Sequence, residues 1–343
     1  MSVARKPVLF VTNHVPPDRL GAFRALHEQV DIELALFGGR SHHATAGVLD
    51  PGVPWQRIEQ AHALALASSG EYRAVVCGTA GRIALPAAWA GARRAGVPFV
   101  LWSALWAHPR SAAHVAGALL LKAIYRDADA VVAYGPHVAS FARRNGARRV
   151  AIAPQAVDGA FWSAPPEGPP WRRGAEFAAV FVGRDDPGKG LDVLLDAWSR
   201  VRLQAPAAVL ALVGVEGLPG AVGRQPPSSV RNFLATADVV VVPSRRTSTF
   251  REPWGLVVNE AMHAGTPVIA TDQVGAAAGG LVRNGRNGLV VPAEDPAALG
   301  AALRLLRDDP DLRERLASAA RADVAPYTFE AWAEGFAGVL PLA

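Results

Sequence analysis

Cysteine is nearly absent from this 343-residue chain: Cys77 stands alone, which excludes an internal disulfide framework and any metal cluster held by several thiolates of the chain. Charge is scarce as well. Asp, Glu, Lys and Arg make up 19% of residues against 50% hydrophobic ones, too much apolar surface for a disordered chain. Long apolar runs are also missing: Val115 to Tyr125 is interrupted by Lys122 and falls far short of a bilayer span. The segment from Met1 to Val8 has neither the apolar region nor the cleavage spacing of a secretory signal. These absences point to a globular protein of the cytoplasm. Its length suits two α/β domains better than one.

The charge that is present is uneven. Residues 1–160 hold 17 Lys/Arg against 10 Asp/Glu and the remainder 18 against 20, so a half carrying +7 precedes a half carrying −2. A basic half suits an anionic acceptor, a nucleic acid or the anionic inner face of the cell membrane. A solvated Arg-rich surface accounts for it equally well. Nucleic acid is disfavoured, because the basic run Arg143 to Arg149 contains no aromatic residue on which a base would stack.

Short Val/Ile/Leu/Phe runs alternate with segments of helical period, the pattern of βαβ units around a parallel sheet buried on both faces. The first half gives strands at Val8 to Thr12, Asp31 to Phe37, Ala74 to Cys77, Phe99 to Trp102, Ala130 to Ala133 and Val150 to Ala153. The second gives Ala178 to Val182, Ala208 to Val213, Val239 to Val242, Val268 to Ala270 and Gly288 to Val291. Each half reads as a doubly wound sheet. Between them the prolines of residues 163–174 forbid a regular element and predict a stiff connector. The expected domains are therefore 1–162, then the linker 163–174, then 175–326, with a terminal helix in 327–343.

Two stretches carry chemistry. Gly183-Arg184-Asp185-Asp186-Pro187-Gly188-Lys189-Gly190 follows a buried strand and leads into the amphipathic segment Leu191 to Val201. A glycine-rich strand-to-helix turn offers backbone N–H groups and a positive helix end, and Arg184 and Lys189 add two cations suited to a diphosphate. Neither Walker A nor the dinucleotide fingerprint fits its spacing. The second stretch runs from Glu252 to Ala270 and places Glu252 and Glu260 eight residues apart. On one helix they would lie on roughly one face, about 12 Å apart. That is too far for acid and base work on one bond, but suits one carboxylate near a sugar and another on ribose hydroxyls. Asp127-Ala128-Asp129 and Asp185-Asp186 imitate metal-binding pairs, but each has arginine beside it, and no metal is expected.

Together, Gly183-Arg184, Lys189-Gly190, Pro243-Ser244, Glu252 and Glu260 in an E-x7-E spacing, and Gly265-Thr266-Pro267-Val268-Ile269 resemble the retaining family-4 glycosyltransferases of the GT-B fold. The likeness covers Phe177 to Phe336 and weakens towards the N-terminus. It implies two Rossmann-like doubly wound domains facing across a cleft, with the C-terminal helix crossing back to the first. It also implies a hexosyltransferase-class enzyme acting without metal on a UDP- or GDP-sugar. By the same resemblance Arg184 and Lys189 hold the diphosphate, with Gly183 on the same loop. Glu260 holds the ribose, Glu252 with the backbone of Trp254, Gly255 and Leu256 the transferred sugar, and the stretch around Arg224 the base. The acceptor would be polysaccharide, glycolipid or metabolite, with lipid-linked acceptors at the inner membrane face among those of relatives.

The first half departs from the family. The histidine expected after the fourth strand is replaced by Ala104, which leaves His108 as the candidate catalytic histidine or as a loop residue on the basic surface. Gly21 stands in for a glycine pair that would let the chain approach the donor. His14, Arg19, His42 and His43 fall on strand-exit loops and are acceptor-site candidates. The alternatives weighed are a nucleotide-sugar epimerase of the same fold and a non-catalytic nucleotide-sugar-binding protein.

Overall fold

The computed structural model of the protein describes residues 6–38, 50–108, 112–167, 171–172 and 174–341. These divide into two compact units, residues 1–156 with 327–343, and residues 157–326.

The first unit runs β1 (Val8–Thr12), α1 (Leu20–Val30), β2 (Ile32–Leu36), β3 (Trp55–Arg57), α2 (Ala63–Ala67), β4 (Ala74–Gly78), α3 (Ala84–Ala95), β5 (Phe99–Ser103), α4 (Ala112–Asp127), β6 (Ala130–Ala133), α5 (Pro136–Arg144) and β7 (Val150–Ile152). Its seven strands are parallel, in the order β3-β2-β1-β4-β5-β6-β7. Val8 to Val11 are fully buried because helices cover both faces of the sheet, which is why the sequence there is a continuous apolar run rather than an alternation.

The second unit runs α6 (Gly159–Ser163), β8 (Ala178–Val182), α7 (Leu191–Gln204), β9 (Val209–Val213), β10 (Ala221–Gly223), α8 (Pro227–Ala235), β11 (Val239–Val242), α9 (Val257–Ala264), β12 (Val268–Thr271), α10 (Gly275–Ala278), β13 (Gly288–Val291), α11 (Pro296–Asp308) and α12 (Pro310–Val324). Its parallel sheet has the order β10-β9-β8-β11-β12-β13. Order reverses beside β8, so the exits of β8 and β11 form a topological switch point, where open α/β sheets bind ligands.

The last helix, α13 (Phe329–Ala337), belongs to the first unit. Two glycines admit it. A Cβ on Gly21 would lie 2.2 Å from the Phe329 ring, and one on Gly335 would lie 2.5 Å from the Ile152 carbonyl oxygen. Trp332 and Phe336 of α13 are fully buried, in a cluster of edge-to-face and tilted rings with Phe10, Phe23 and Trp102. The first unit's core is thus closed by the end of the chain.

Strands β3 and β10 are absent from the expectation. Each has three residues, lies at a sheet edge and contains no fully buried residue, so neither leaves an apolar run. The proline-rich stretch, expected as a stiff connector, packs through its described residues on the second unit. Trp171 Nε1 donates to the Phe233 carbonyl at 3.2 Å, and Arg231 pairs with Glu167 at 2.6 Å.

Candidate functional site

The second unit's site is built at the exits of β8 and β11. After β8, Asp186 accepts a hydrogen bond from Gly188 N at 2.9 Å and starts a single 3-10 turn, Pro187–Lys189. Gly190 then takes φ +67° and opens α7; a Cβ there would meet the Pro243 carbonyl oxygen at 2.1 Å. Only glycine accepts both that backbone region and that approach. The close contact brings the start of α7 against the end of β11.

After β11 the chain does not enter a helix at Glu252. Glu252 lies on an extended segment bridged to Val274, Gly255 turns the chain at φ +89°, and α9 begins only at Val257. The expectation that Glu252 and Glu260 share one helix face therefore fails. Its physical reason is the left-handed residue Gly255, which a helix would not admit. Glu260 sits in the first turn of α9, where a carboxylate is favoured by the helix dipole.

Glu252 is buried, and its Oε2 is shared by two donors, Lys189 Nζ at 2.5 Å and Ser244 Oγ at 3.1 Å. Lys189 and Glu252 thus form one unit that ties the glycine loop to the segment before α9. Trp254 is 2% exposed and its indole donates to Asn259 Oδ1 at 2.7 Å, so its side chain is part of the core and only its backbone is available to a ligand. Neither α7 nor α9 has a side-chain cap at its N-terminus. Lys189 immediately precedes the uncapped start of α7, Arg184 is exposed on the same loop, and α9 also starts uncapped; uncapped helix starts and cations each suit an anion. Gly183 opens this loop, and Arg224 lies exposed beyond β10. Ser244, Asn259 and Thr271, which donates to the Ser244 carbonyl, support the site without having been singled out for it. The Pro243-Ser244 pair was their legible signal.

The first unit's candidates separate. Arg19 is not on a solvated loop: it is 7% exposed, bonded to Gln155 and lies 5.8 and 5.4 Å from the Trp102 and Tyr134 ring centroids. Cation–π contact and Gln155 hold it inside the sheet's exit edge. Gly21 approaches Phe329, not an open site. His14 is half-buried after β1. His108 is exposed, with Nε2 3.1 Å from Asn145 Oδ1 and its ring edge-on to Phe141. His42 and His43 lie outside the described residues. Asp127 and Asp129 are both taken by Arg93, at 2.6 and 2.8 Å, and the hydrogen bonds from Arg93 and Trp89 hold the Asp127 carboxyl below its ordinary range. Among the described residues no group of three or more His, Cys, Asp or Glu could hold a metal ion.

In class this is a two-sheet α/β protein of GT-B type. Residues 172–323 match the family described as Glycosyl transferases group 1. A D-inositol 3-phosphate glycosyltransferase of Thermomonospora curvata is 37% identical over 174 residues, 42% of this chain and 38% of that protein. One of Jonesia denitrificans is 33% identical over 174 residues, 44% and 39%. The matches thus span about two fifths of those relatives. The fold is shared with Anabaena Alr3699/HepE, solved in complex with UDP and glucose, at a TM-score of 0.76 and 19% identity over 97% of this chain and 99% of that one. Sucrose-phosphate synthase from Thermosynechococcus elongatus has a TM-score of 0.73 at 21% identity over 96% of each chain.

Proposed function

We propose that the protein is a retaining, metal-independent glycosyltransferase that takes a sugar from a UDP- or GDP-sugar and passes it to an anionic acceptor recognised by the first unit. The observation that carries this reading is the Lys189–Glu252 pair, which joins the loop leading into the uncapped start of α7 to the segment ahead of the uncapped start of α9. A cation there suits the charge that a leaving diphosphate gathers, and a carboxylate suits a sugar's hydroxyls.

In this reading Arg184 and Lys189 hold the diphosphate, whose negative charge grows as the glycosidic bond breaks. Glu260 accepts from the ribose hydroxyls, the 254–256 backbone and Glu252 fix the sugar, and the stretch around Arg224 meets the base. The acceptor hydroxyl attacks from the face the diphosphate leaves, and a phosphate oxygen takes its proton. Most of the acceleration is then positioning and charge stabilisation. The names of the curated relatives and the basic first half support an acceptor bearing phosphate.

Product analysis tests this. Protein incubated with UDP- and GDP-sugars in EDTA, with phosphorylated polyols and lipid phosphates as acceptors, is expected to give a glycoside with the donor's anomeric configuration by proton NMR. An inverted product, or turnover that stops on adding EDTA, contradicts it.

A further inference from the structure

The chain from the end of β11 to the start of α9 is charged out of balance. Residues 244–256 hold Arg245, Arg246 and Arg251 against the carboxylate of Glu252. Arg245 and Glu252 are engaged nearby. Arg245 Nη1 pairs with Asp192 at 2.9 Å and its Nε donates to the Pro187 carbonyl at 2.7 Å, while Glu252 is held by Lys189 and Ser244. Arg246 and Arg251 are the other two charges.

Between them lies a tight reverse turn. Thr247 N donates to the Phe250 carbonyl at 2.9 Å and Phe250 N to Thr247 Oγ1 at 3.0 Å, with Ser248 and Thr249 at the tip. A turn closed by residues 247 and 250 carries Arg246 and Arg251 on its two limbs, one step out from the closing pair. Like charges at facing positions repel. Burial, and then the Arg246 charge, hold the Arg251 guanidinium below its ordinary pKa, against the pull of Asp272 at the exit of β12. Asp272 Oδ1 itself accepts from Ala293 N at 3.1 Å.

The turn is fixed in place. Phe250 packs over the glycine loop: a Cβ on Gly188 would lie 2.4 Å from its ring, and Lys189 Nζ stands 5.9 Å from the ring centroid. Arg245 N donates to the Gly188 carbonyl at 2.9 Å. The arginine pair is thus anchored to the loop that follows β8, and its second limb runs straight into Glu252. Two facing guanidinium groups are unfavourable by themselves and favourable around an anion, since each planar fork can give a carboxylate two parallel hydrogen bonds.

We infer that Arg246 and Arg251 recognise a carboxylate on the transferred sugar, so that the donor is a nucleoside-diphospho-uronic acid. This rests on the transferase reading, in which Arg184 and Lys189 answer the diphosphate and Glu252 the sugar's hydroxyls. The second pair of cations adjoins the residue assigned to the sugar and answers a third anionic group. A neutral hexose has a hydroxymethyl group where a uronic acid has its carboxylate, and leaves the two like charges facing each other.

Calorimetry on the full chain tests this with matched donors, UDP-glucuronate against UDP-glucose and GDP-mannuronate against GDP-mannose. With the nucleotide the protein takes, wild type is expected to bind the uronate about tenfold or more tightly than the neutral sugar. Arg251→Gln and Arg246→Gln should each abolish that preference through loss of uronate affinity. Arg246 is exposed, which makes Arg246→Gln the variant safer for the fold, and its ligand-free Tm should be no lower than wild type's because the change removes a repulsion. Three results overturn the inference: uronate and neutral sugar bound alike by wild type, both variants keeping the preference, or both losing the two donors equally. The transferase reading then stands as long as UDP or GDP itself binds. Binding of no nucleotide and no nucleotide sugar overturns that reading and the inference with it.

Discussion

Lys189 and Glu252 show what a single side chain can and cannot announce. The sequence marks both, yet their mutual contact depends on two left-handed glycines, Gly190 and Gly255, that fold the loops towards each other. Residue spacing alone suggested a helix through Glu252, because eight positions fit two turns as well as they fit a turn followed by a helix. Lys189→Ala should leave a buried carboxylate short of its cation, costing about 1–3 kcal/mol of stability by denaturant titration. It should also weaken UDP binding about tenfold or more. Glu252→Gln keeps an acceptor for Ser244 and leaves Lys189 for phosphate, so transfer should fall about 10²–10³-fold with UDP affinity little changed. A second titration reports on His263, whose imidazole is held below its ordinary pKa by burial, against the opposing pull of Asp158. The unfolded chain then binds the proton more readily than the folded one, so stability is full above the unfolded pKa and falls as pH drops through about 6.5. Tm measured from about pH 7 to 5 should decline less in His263→Leu than in wild type.

Strands and helices were legible where burial was complete. The β4 run Ala74–Gly78 is buried at every position and reads as a strand without further help. Strands β3 and β10, short and edge-placed, are held by backbone pairing that composition does not record. The place of α13 was likewise hidden in the residues themselves: its neighbours are fixed by Gly21 and Gly335, whose meaning appears only when another element fills the missing side chain. Gly335→Ala should therefore overpack α13 against Ile152 and Ala153 and lower stability by about 1–3 kcal/mol in denaturant. Trp332→Ala, which removes a fully buried ring from the aromatic cluster, should cost about 3–5 kcal/mol in the same measurement.

For the chain as a whole, the two sheets differ in how much of their chemistry they disclose. The second unit's candidate site is made by elements adjacent in the sheet order, β8 and β11, and its residues come in compact motifs that survive as sequence signals. The first unit's candidates are scattered, and the structure distributes them: Arg19 into the interior, Gly21 under α13, His108 onto the end of α5. These candidates share no motif at fixed spacing, so the sequence could not group them. The proposed donor site of the second unit is tested by thermal shift in EDTA across a panel of UDP- and GDP-sugars. A rise in Tm with one nucleotide's sugars is expected, lost in Lys189→Ala and Glu260→Ala; no rise with any nucleotide sugar, or one that survives both substitutions, overturns the donor site.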